Sequence, residues 1–147
     1  MNENFEYYLY SSQSFGILII VNESTIDLGK LANEMVLKYA LHKIAPNNKL
    51  GQILVSELKQ TRGSKAIEWI RTKSDNYEGP ILFCDIDIIF EPDLEIDPLA
   101  LFKRISKHKK IIVLWPGNFS NNSLTYATPE HAHFRRWVNP GVEIIQL

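Results

Sequence analysis

Gly16-Ile17-Leu18-Ile19-Ile20-Val21, then Asn22–Leu28, then Gly29-Lys30 at the head of a helical apolar pattern, is the stretch whose reading decides the fold. Gly16–Val21 is a short continuous apolar run rich in branched side chains, as expected of a strand covered on both faces. From Gly29 onward Leu31, Ala32, Met35, Val36, Tyr39 and Ala40 recur at helical spacing. The stretch therefore reads as strand, loop over Asn22–Leu28, and helix from Gly29. That is the outline of a phosphate loop, in which inward backbone N–H groups and a helix N-terminus meet a lysine that reaches the outer phosphates. The strict pattern asks for glycine at 24 and for serine or threonine at 31, where this chain has Ser24 and Leu31. Leucine has no oxygen for magnesium, and Asp27 adds negative charge beside the phosphates.

A second buried strand, Pro80–Cys84, ends in Asp85 and Asp87. An acidic residue just beyond such a strand can hold magnesium, and a following one can orient or deprotonate water. Asp85 is the expected metal-side carboxylate and Asp87 the candidate base, with Ser24, Thr25, Gly29 and Lys30 as the nucleotide-binding set. The alternative is that both acids solvate a strand end and that Gly29-Lys30 is an ordinary helix start.

Outward from these segments, Pro46-Asn47-Asn48 reads as a turn. Helices are expected near Gln52–Lys59 and after Gly63-Ser64, with Ser64 as cap. Asp97-Pro98 is a strong helix start, a carboxylate cap followed by proline. Ile111–Trp115 reads as a strand stopped by Pro116-Gly117, and Val142–Leu147 as the last strand. Strands separated by helices, with no clear hairpin, point to an α/β layered fold with a mostly parallel sheet. Ligands in such folds gather beyond the carboxyl ends of the strands, where Gly29-Lys30, Asp85 and Pro116-Gly117 would converge.

The chain has 147 residues, 45% hydrophobic content and a net charge of -1. One domain over 1–147 fits that length, and the charge supplies no global attraction for nucleic acid. A lone cysteine, Cys84, excludes an intrachain disulfide. With no signal-like start and no apolar run long enough to span a bilayer, the reading is cytoplasmic with no membrane partner. The dense basic patch Lys103, Arg104, Lys107, Lys109 and Lys110 offers weak or indirect DNA contact, or a solvated helix end. Arg62, Arg135 and Arg136 are further phosphate candidates, and Asn118 a water-orienting one. His131 and His133 share a face if extended but lack a full metal-ligand spacing.

The run Leu82–Phe90, then Asp93-Leu94, Asp97-Pro98-Leu99 and Val113–Gly117, resembles the BrxF family of small P-loop proteins from type III BREX bacteriophage-defence systems. Leu124–Ala127, Pro129, His131 and Phe134-Arg135 extend the resemblance. It implies a P-loop NTPase-like three-layer sandwich that binds ATP and Mg2+ at a degenerate loop, with slow or partner-activated hydrolysis. Its partners would be other BREX proteins and further copies of the chain. The alternative under the same resemblance is a noncatalytic P-loop-derived adaptor, a reading that Leu31 favours.

Overall fold

A computed structural model describes residues 2–147. Helix α1 (Asn2–Tyr10) leads into β1 (Gly16–Asn22), α2 (Thr25–Tyr39), β2 (His42–Ile44), α3 (Pro46–Val55) and α4 (Arg62–Asp75). Then come β3 (Ile81–Phe83), two short 3-10 turns, α5 (Pro98–Ser106), β4 (Lys110–Ser120), β5 (Ser123–Tyr126), β6 (Arg135–Val138) and β7 (Glu143–Gln146). The sheet runs β2-β3-β4-β1-β7, with every pair along that path parallel. This is the mostly parallel α/β arrangement that the strand and helix pattern calls for.

The alternating faces of the buried strands explain their unbroken apolar runs. Ile19 and Val21 of β1, Ile81 and Phe83 of β3, and Ile111, Val113 and Trp115 of β4 pack on α3, α4 and α5. Leu18, Ile20, Leu82, Ile112 and Leu114 point the other way, onto α1 and α2. The helix leaving β1 thus covers one face, and the helix leaving β3 covers the opposite face. Between them, beside β4, lies the topological switch point of the sheet.

Asp97 caps α5 as expected, its Oδ1 accepting the Ala100 N–H at 3.2 Å. Several boundaries differ from the sequence reading. Pro46 opens α3 instead of a turn, because proline at the first helical position gives up only an N–H that has no helical partner. α3 ends at Val55, and α4 begins at Arg62, where Ser64 bonds the Thr61 carbonyl instead of capping. Trp115 is not the end of β4. Pro116 is the last residue paired with β1, after which the strand continues and pairs antiparallel with β5 from Gly117. The hairpin turns on Asn121 and Asn122, with φ of 51° and 55°. Two left-handed residues are what a two-residue turn of the right twist requires, and asparagine tolerates them. Among the described residues no helix is long and apolar enough to cross a membrane.

Candidate functional site

The junction between β1 and α2 is much shorter than a phosphate loop. Only Glu23 and Ser24 separate strand from helix. Asn22 Oδ1 accepts the Ser24 N–H at 2.8 Å, and Ser24, with φ −85° and ψ 108°, accepts the Asp27 N–H on its Oγ at 3.1 Å. The Ser24 carbonyl takes the Leu28 N–H at 3.0 Å, closing the first turn. Ser24 is a helix cap, so the expected loop over Asn22–Leu28 is replaced by helix from Thr25. The physical reason lies in the residues: a good cap begins the segment, and no glycine precedes Leu28 to turn amides inward at positive φ. Gly29 and Lys30 fall in the second turn, where their N–H groups belong to the helix ladder. Lys30 is exposed, and Leu31 packs against the cluster under α2.

Across the crevice, Asp85 stands just beyond β3 with φ 48°. Its carbonyl accepts the Asn47 N–H at 3.0 Å while its side chain stays in solvent. Asp87 is held differently. Its Oδ1 accepts the Tyr126 hydroxyl at 2.7 Å, and its Oδ2 accepts Asn47 Nδ2 at 3.2 Å. Asn47 Oδ1 in turn takes the Ile88 N–H at 2.8 Å. Asp87 therefore ties α3 and β5 to the turn that contains it. Burial, reinforced by the bond to Asp87, holds the Tyr126 hydroxyl well above its ordinary range. Burial likewise pushes the Cys84 thiol up to about 11, with the Asp85 charge adding to it and Lys43 opposing.

Two cavities meet here. One of about 20 Å³ lies under Thr25, Leu28 and Gly29, above Cys84 and Leu114. The other, about 210 Å³, is lined by Glu23, Thr25, Asp87, Tyr126 and His131 among others. A magnesium triphosphate does not fit the groups as they stand. The amides of Gly29 and Lys30 are spent in the helix, Leu31 brings no hydroxyl, and the acidic residues Glu23, Asp85 and Asp87 line the two cavities.

The other candidates are brought elsewhere. Arg62 Nε donates to the Glu57 carbonyl at 3.2 Å, Arg135 to the Ile96 carbonyl at 2.8 Å, and Arg136 to Ser123 Oγ at 3.3 Å. Asn118 donates to Glu23 at 3.2 Å, on the rim of the larger cavity. His131 Nδ1 accepts the His133 N–H at 2.9 Å and the two rings meet edge-on at 5.5 Å, His131 lining the 210 Å³ cavity and His133 a neighbouring one. Among the described residues no group of three or more His, Cys, Asp or Glu is placed to hold a metal ion.

The basic patch lies at the opposite end of the sheet, and two of its members are not surface groups. Lys110 is 6% exposed, and its ammonium donates to the carbonyls of Tyr8, Leu9 and Ser11 and to Ser11 Oγ at 3.0–3.2 Å. Lys109 donates to the Tyr77 carbonyl. Lys110 neutralises the C-terminal end of α1, where carbonyls lack helical partners. Half-buried Lys103 and exposed Arg104 on α5, and exposed Lys107 at its C-cap, remain for solvent contact.

Sequence reasoning missed Asn47 and Tyr126, the two partners of Asp87. Asn47 was hidden by reading Pro46-Asn47-Asn48 as a turn, and Tyr126 carried no signal beyond the family-like run around it. No protein-family model, curated protein or solved structure matches the chain.

Proposed function

We propose that this chain is a noncatalytic assembly subunit of a BREX-type anti-phage defence complex, built on a P-loop NTPase-like scaffold whose phosphate loop has become helix. The scaffold reading draws on the sheet order, which puts the exit of β1 at the switch point between oppositely covered strands. The defence context draws on the resemblance carried by Leu82–Gly117 and Leu124–Arg135. The observation that carries the noncatalytic reading is the start of α2 at Thr25, capped by Ser24. A phosphate cradle is a turn of several amides ahead of the helix, and here only Glu23 and Ser24 stand there, with the Ser24, Asp27 and Leu28 N–H groups bonded to Asn22 and Ser24.

Calorimetric titration of the intact chain with ATP, with and without magnesium, tests the reading, alongside the Lys30→Ala variant. No saturable heat is expected for either protein. Saturable magnesium-dependent heat that Lys30→Ala abolishes would replace it with an ATP-binding subunit using Ser24, Thr25, Gly29, Lys30 and Asp85. In cells, both wild type and Lys30→Ala should restore phage exclusion to a strain lacking the gene. A deletion that leaves phage plating unchanged overturns the defence assignment.

A further inference from the structure

Gly29 has no steric reason to be glycine. A Cβ built on it meets nothing within 4 Å, and its backbone is ordinary helix. Inside a helix, glycine weakens the ladder relative to alanine without any compensating close approach. The turn just before it is held lightly. Thr25, Ile26 and Asp27 are exposed, Ile26 at 72%, and Leu28 is the one side chain of that turn seated in the core. Thr25 also lines both the 20 Å³ and the 210 Å³ cavities, so this turn is part of the partition between them.

We infer that the first turn of α2, Thr25–Leu28, is a gate hinged at Gly29, whose opening joins the two cavities into one crevice above Cys84 and beside Asp85. Opening breaks the cap on Ser24 and the ladder bonds that end on the carbonyls of Thr25–Leu28, and lifts Leu28. It leaves the sheet and the rest of α2 intact. Local openings of this kind expose little surface and draw on weakly anchored helix ends. The gate does not depend on a nucleotide and stands whether or not ATP binds.

The chain carries its own reporter. Cys84 is its single cysteine, 4% exposed, and forms the floor beneath the gate. The test is the rate at which N-ethylmaleimide modifies Cys84 in the intact chain, measured at several low urea concentrations. Modification through the gate has a urea slope well below that of global unfolding. Gly29→Ala should slow modification roughly fivefold by stiffening the hinge. Leu28→Ala should accelerate it at least about tenfold by removing the anchor. Hydrogen exchange gives a second reading: the amides of Lys30, Leu31 and Ala32 should exchange faster than those of Met35–Tyr39, and Gly29→Ala should slow only the former. A urea slope equal to that of global unfolding, or a rate unmoved by Gly29→Ala, overturns the gate.

Discussion

The two ends of the parallel sheet handle charge in opposite ways. At the N-terminal end the lysine that the sequence offers to solvent is immersed, with Lys110 bonded to four oxygens that close α1. At the C-terminal end one carboxylate, the half-buried Asp87, is hydrogen-bonded on both oxygens, while Asp85 two residues earlier stays exposed. At the first end the Lys110 ammonium has a full set of partners, beside a cavity of about 470 Å³ that Lys109 and Lys110 line. The second keeps an open carboxylate, a capped but lightly anchored helix turn and two adjoining cavities. A charged residue beside a strand end is therefore not evidence of a ligand until its partners are counted. A satisfied charge such as Lys110 serves the structure, whatever cavity lies beside it.

Glycine substitutions break this comparison most sharply. At Gly117, where β4 pairs with β5, an added Cβ would stand 1.8 Å from the Thr125 carbonyl oxygen. Backbone cannot yield as a side-chain tip can, so Gly117→Ala should cost at least about 3 kcal/mol in urea denaturation, or prevent folding. Lys110→Met keeps length and removes the ammonium. It should cost roughly 2–3 kcal/mol and speed hydrogen exchange in α1 before the sheet is affected. Loss confined to the sheet would mean that Lys110 does not hold α1. Tyr126→Phe removes one bond to Asp87 and leaves the other from Asn47, so about 1–2 kcal/mol is expected by the same measurement.

Alkaline pH separates the ends by another route. Tyr8 donates to the Ile111 carbonyl near the N-terminal end and Tyr126 to Asp87 at the other, and burial raises both hydroxyls above their ordinary value. The unfolded tyrosine titrates near about 10, so this contribution is fully present below that pH and is lost as pH rises beyond it. Denaturation midpoints should fall above about pH 10, and Tyr126→Phe should shallow the fall without abolishing it, since Tyr8 remains. The smallest effect is expected at Gly29, where the same Gly→Ala change that is ruinous at Gly117 should stabilise by about 0.5–1 kcal/mol. A loss of stability at Gly29 would show that the open space beside it is needed by the fold.

Much of the architecture was legible because it is written in neighbouring residues. The apolar run Gly16–Val21 specifies a strand buried on both faces, and Asp97-Pro98 specifies the start of α5, since cap and proline act within one turn. The hairpin at Asn121-Asn122 carried a local signal too, two adjacent asparagines between alternating segments, but Pro116-Gly117 was read as the end of the strand. The start of α2 was less legible: Ser24 was read as standing in for a loop glycine, the apolar period begins only near Leu28, and exposed Thr25–Asp27 add nothing to it.

By itself the sequence determined the buried strands β1 and β3, the core of β4, the apolar sides of α2 and α5, and which charges lie near strand ends, while α1, β2 and the β5–β6 hairpin segments went unread. Only the tertiary structure decided what those charges do. Asp87 meets Tyr126 and Asn47 across separations of 39 and 40 residues, and Lys110 meets Leu9 across 101. Such pairings depend on which strands become neighbours, and hydrogen bonding then selects the partners that burial leaves without water.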